Sequence, residues 1–164
     1  MNSGESLLSV GAMMLLAVMI LRVNNTILTT NSVLLETKFG VLATSLATSI
    51  LEEATGKAFD QNTYDNSLSN VNDLTSPSAL GPGNGETYAI FNDVDDFNGF
   101  TKVDSTLPSA LFYLSTKVEY VSPINPNVAV NYKTWHKKVS VTVTTPSSQD
   151  TFKLSTVVSY FFFR

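Results

Sequence analysis

The sequence predicts an α+β protein, with one long N-terminal helix packed on a C-terminal antiparallel β-sheet. Three observations predict it. No proline occurs before Pro77. Apolar residues recur at helical spacings as far as Ile50. Beyond residue 86 the pattern changes to runs that alternate every second residue, the period of a half-buried strand.

The helix begins with MNSGESLLSVGAMMLLAVMILRV. Ser6 to Leu21 are sixteen residues without a charge, mostly Leu, Met, Val, Ala and Ile. At a rise of about 1.5 Å per residue they span about 24 Å, a little less than the roughly 30 Å hydrocarbon core of a bilayer. The uncharged NNTILTTNSVLL extends the low-charge stretch, and Arg22 can snorkel to a headgroup. A cleavable secretory signal needs a basic segment ahead of the run, and none is present. A signal anchor also normally carries a basic flank, which is missing here; one explanation is that a basic leader has been removed and Met1 is a processed end.

The second half of the helix is amphipathic. Leu28, Leu35, Phe39, Leu42, Leu46 and Ile50 recur at spacings of sevens, fours and threes, opposite Thr, Ser, Asn and the charges Glu36, Lys38, Glu52 and Glu53. Gly56 is a stop signal. A helix over residues 2–54 is about 80 Å long. Residues 1–54 therefore divide into a membrane or filament-core part, 1–26, and a part whose stripe covers the sheet.

Residues 55–164 form the head. The connector 55–86 is rich in Asn, Asp, Ser and turn signals. TYAIF is a short strand candidate. SALFYLSTKVEYVS reads as a long strand between Pro108 and Pro123. VAVNYKTWHKKVSVTVTT ends in clean alternation, Val139, Val141 and Val143 against Ser140, Thr142 and Thr144. After the turn PSSQD the last strand is TFKLSTVVSYFFF. Long consecutive strands with short turns give an antiparallel sheet with one face on the core.

Composition narrows the function. Only 15% of residues are charged, against roughly 25% in ordinary soluble domains. A net charge of -4 supplies no basic footprint for nucleic acid, and without cysteine there are no disulfides or thiolate metal sites. No acid–base pair or nucleophile set marks an enzyme. His136 is the only histidine, and a side chain in a sheet is its default reading. Lys137 and Lys138 are expected on a solvent face, and the aromatic run from Tyr160 to Phe163 in packing. NDVDDFNG is the one ligand-like stretch. Asp93, Asp95, Asp96 and Asn98 could hold calcium, which takes several oxygen ligands in a flexible loop, although the spacing is not that of an EF-hand. The alternative is a solvated acidic turn.

Glu5, the uncharged run from Ser6 to Leu21, and one long helix followed by a variable loop and an antiparallel sheet together resemble a mature type IV pilin or pseudopilin. The resemblance implies a structural subunit of an extracellular helical homopolymer, held in the inner membrane before the pilus assembly machinery adds it to a filament. It implies subunit assembly through Met1 and Glu5, with helix packing by Leu7, Leu8, Met13, Met14, Leu15, Leu16 and Ile20. A carboxylate near hydrocarbon costs roughly 2.5–3.5 kcal/mol, so a partner is expected. The resemblance supplies one, the amino group of Met1 on a neighbouring subunit. Apolar helices slide on one another, whereas a polar pair at one depth fixes register. Asn2 and Glu5 also have the spacing of a capping box, which suits the helix dipole without any partner.

Overall fold

The computed structural model describes residues 3–107 and 110–163, the last two without their side chains. Helix α1 runs Ser3–Thr55, one residue from the expected end. Four strands follow: β1 Thr101–Asp104, β2 Phe112–Tyr120, β3 His136–Thr144 and β4 Thr151–Ser159. They form one antiparallel sheet in the order β1-β2-β3-β4. The α+β prediction is thereby observed.

The chain divides into two compact units, residues 1–39 and residues 40–164. In the first, the helix is unbroken and every side chain from Ser3 to Lys38 is exposed, Leu28 and Leu35 included. The stripe expected to cover the sheet therefore does not extend that far back. In the second unit the last four turns of α1 bury Ala43, Ala47, Ile50, Leu51 and Ala54, while Leu42 and Leu46 are only half-buried. Small residues at i, i+4 and i+11 let the helix approach the head closely. At Gly40 an added Cβ would come within 3.2 Å of the Phe152 ring on β4.

The sheet's inner face follows the alternation. Phe112, Leu114, Thr116, Val118 and Tyr120 of β2 are buried, as are Val139, Val141 and Val143 of β3. The cross-strand register pairs Leu114 with Val143, Thr116 with Val141, Val118 with Val139 and Tyr120 with Lys137. The burial of Lys137 on this face is set by parity, since it lies two residues before Val139.

Two expected elements differ. TYAIF is a single 3-10 turn, Tyr88–Ile90, not a strand. Its rings serve an aromatic cluster instead, with Tyr88 stacked on Phe100 at 4.6 Å and edge-on to Phe91 and Phe97. Strand β1, too short to stand out, forms the sheet edge against β2. The segment before His136 is not strand. The connector 55–86 is a chain of 3-10 turns, Gln61–Thr63, Val71–Asp73 and Pro77–Ala79, anchored by buried Phe59, Asp60 and Leu74.

Candidate functional site

Two parts of the molecule carry chemistry, and they lie in different units. The first is the apolar helix. Leu7, Leu8, Met13, Met14, Leu15, Leu16 and Ile20 are 54–77% exposed. Among the described residues α1 is the one helix long and apolar enough to cross a membrane, and none of its most apolar window is buried within the subunit. Continuous apolar exposure of this kind needs lipid or other helices. This is consistent with membrane association. Glu5 stands in the first helical turn, where its carbonyl accepts a hydrogen bond from the Ser9 hydroxyl. Met1 and Asn2 lie outside the described residues, so the amino-terminal partner and the capping box do too.

The second is a buried cluster in the head. Lys137, expected on a solvent face, has no exposure at all. β3 delivers its side chain to the inner face, where the ammonium has three donors and three acceptors. Nζ donates to the Phe59 carbonyl at 3.0 Å, to Asp60 Oδ2 at 2.7 Å and to Asp95 Oδ1 at 2.5 Å. The Phe59 and Tyr120 rings lie 4.5 and 5.1 Å from Nζ, close enough for cation–π attraction. Lys138, of opposite parity, is half-buried and reaches the Asn127 carbonyl.

The carboxylates are positioned by local structure. Asp60 caps the turn Gln61–Thr63. It accepts from the Asn62 and Thr75 amides, the Thr75 hydroxyl and, at 3.2 Å, the Tyr120 hydroxyl. A parallel bridge between Ala58 and Asp93 ties this segment to the acidic turn. There Asp93, Asp95 and Asp96 are all buried, so the expected solvated turn is corrected. Asp93 Oδ1 accepts the Asp95 amide and Asp96 Oδ2 accepts the Asn92 and Asp93 amides. Asn98 bridges outward, donating to the Leu80 carbonyl and accepting from the Val118 amide on β2. The turn is therefore internally wired rather than open.

The environments push these acids apart. Burial raises the Asp60 carboxyl, but the Lys137 charge and the hydrogen bonds from Lys137, Asn62 and Thr75 outweigh it and hold the group below the usual range. Burial pushes Asp95 up to about 8 against the pull of Lys137. Burial and the neighbouring Asp96 push Asp93 up to about 7. Of the two acids on one ammonium, Asp60 keeps its charge and Asp95 holds a proton. Asp93 Oδ2 and Asp95 Oδ2 are buried without a hydrogen-bond partner.

No group of three or more His, Asp or Glu among the described residues is arranged to hold a metal ion. His136 is half-buried, with Nδ1 2.7 Å from Ser159 Oγ. Tyr160 is buried and stacks on Trp135 at 5.0 Å, while Phe161 is exposed. No protein family, curated protein or solved structure matches the chain.

Proposed function

We propose that this chain is a structural subunit of a type IV pilus-like extracellular filament, held in the inner membrane before assembly. The observation that carries the reading is the helix of residues 3–38, apolar through its first half and exposed throughout. A lone tether needs only to cross lipid and gains nothing from an acid at its start. A polymer whose core is a bundle of such helices needs a register-setting pair, and Glu5 with the amino group of Met1 on the next subunit provides one. Glu5 lies just ahead of the first fully apolar turns, so its charge would enter the bundle only with that partner. A pseudopilin of a secretion system uses the same polymer chemistry in a shorter fibre.

A monomeric, membrane-anchored binding module is the competing reading. It is favoured by a 370 Å³ cleft at Pro77, Leu80, Lys117, Tyr120 and Val130. Calcium at Asp93, Asp95, Asp96 and Asn98 is the weaker reading of the acidic turn, because the Lys137 ammonium already occupies Asp95 Oδ1. Negative-stain microscopy of material sheared from cells, with an antibody to the head, separates the two main readings. Labelled filaments support the subunit, and label confined to the membrane supports the module.

A further inference from the structure

We propose that Lys137 and Asp95 become joined by an intramolecular amide bond, formed by the folded head itself with Asp60 as the proton carrier. The inference goes beyond the filament reading and does not depend on it.

The geometry holds an amine against a carboxyl group. Nζ is 2.5 Å from Asp95 Oδ1, which is bonded to Cγ, the atom an amine attacks. Both side chains are buried, at 0% and 2% exposure, so the pair is held out of bulk solvent. Holding two reactants in this way corresponds to effective molarities on the order of 10⁵–10⁸ M. The Phe59 and Tyr120 rings close over the nitrogen. An enclosure of that kind also shields a finished amide from hydrolysis.

Charge balance assigns the roles. One ammonium in a dry site balances one carboxylate. Asp60, which collects hydrogen bonds from Asn62, Thr75 and Tyr120, is the ionised one. Asp95 has a single polar contact through Oδ1, and its Oδ2 has no partner. That unpartnered oxygen is the hydroxyl of a neutral acid and the leaving group. Asp95 also lines a 250 Å³ cavity with Gln61, Thr75, Gly81, Gly83 and Glu86, which gives the released water somewhere to go.

The step balances without any co-reactant. Asp60 takes one proton from the Lys137 ammonium, 2.7 Å away. The free amine adds to Cγ of Asp95, forming the C–N bond. The C–O bond to the hydroxyl then breaks, and that hydroxyl leaves as water with a second proton from nitrogen. Of the four protons present at the start, one remains on the amide nitrogen, two leave in water and one rests on Asp60. The site is neutral before and after. The bond would tie the acidic turn to β3 across 42 residues, a covalent staple in a chain without cysteine.

The test is the mass of the full-length purified chain under denaturing conditions, followed by protease mapping. The wild type should be lighter than its sequence by one water and yield a branched peptide joining the segments that contain Asp95 and Lys137. Lys137→Arg and Asp95→Ala should each have their full sequence mass. Processing at the N-terminus is common to all and cancels in the comparison. Asp60→Asn keeps both partners but removes the proton carrier, so it should also remain unlinked. A folded wild type at full sequence mass would overturn the proposal, as would a branch point at Asp60 or at any residue other than Asp95. Complete linkage in Asp60→Asn would overturn the role given to Asp60.

Discussion

Lys137 on β3 holds its Nζ 2.7 Å from Oδ2 of Asp60, a residue 77 positions earlier, and neither side chain has any solvent exposure. A charge pair so deep in an antiparallel head costs desolvation on both sides and is retained only when every donor is satisfied. Here all three ammonium donors are.

The first prediction concerns that cluster. Lys137→Met keeps much of the side-chain volume but leaves the Asp60 carboxylate buried without a counter-charge, whereas the wild type has either the ion pair or, once linked to Asp95, a neutral Asp60. It should destabilise the head by about 3–5 kcal/mol in urea unfolding. Adding Asp60→Asn to the same chain should recover part of the loss. Equal stability of Lys137→Met and the wild type would mean that the pair is not structural.

A second prediction follows from Asp93, whose folded pKa of about 7 lies above that of an unfolded aspartate. Between about pH 4 and 7 the folded chain holds a proton that the unfolded chain has released. That contribution is present in full at the acid end and is lost as pH rises through the folded value. Asp60 works in the opposite direction, and its contribution disappears only in strong acid. The head should therefore be more stable at pH 5 than at pH 8, by on the order of 1–4 kcal/mol. Asp95, pushed up to about 8, titrates in the same direction, so Asp93→Asn should make the profile shallower without flattening it. Stability that rises between those pH values would contradict the assignment.

The third prediction concerns the length of helix the head requires. A chain beginning at residue 27 should fold, because the residues removed bury nothing within the head unit. Removing residues through 55 also strips Ala43, Ala47, Ile50, Leu51 and Ala54 from the core. At roughly 1.5–3 kcal/mol for a buried large aliphatic side chain, Ile50 and Leu51 alone use much of a normal stability margin. The shorter chain should aggregate in size-exclusion chromatography, and a well-folded monomer would show that the helix is dispensable.

The fourth prediction separates metal from ammonium at the acidic turn. Thermal melting of the chain that begins at residue 27 should be the same with calcium and with chelator. A calcium site filled to a hundred times its dissociation constant would instead add about 2.7 kcal/mol. A calcium-dependent shift lost on Asp95→Asn would restore the cation reading.

Much of the fold was legible because it rests on period. The helix bounds, the alternation in β3 and the long β2 all follow from residue spacing. What was not legible depended on distance in the chain. Asp60 sits in a polar connector with no local sign that its partner lies on β3. The aspartates of NDVDDFNG read as solvated because a run of acids carries no trace of the ring cluster and strand that cover it. Lys137 was the recoverable case. Its parity with Val139, Val141 and Val143 places it on the inner face, yet its residue type suggested water. TYAIF reads as a strand and Thr101–Asp104 gives no strand signal, because four or five residues carry too little pattern to distinguish a strand from a 3-10 turn.

The most direct measurement of the filament account is the yield of sheared surface filaments, by microscopy and head-specific labelling, from cells making the wild type, Glu5→Gln and Glu5→Ala at equal membrane levels. Glu5 should set register through the amino group of a neighbouring subunit. Wild-type cells should therefore give abundant filaments, Glu5→Gln, which keeps a hydrogen-bonding group, fewer, and Glu5→Ala few or none. Wild-type yield from Glu5→Ala would reduce Glu5 to a helix cap, and the absence of labelled filaments from wild-type cells would contradict the account as a whole.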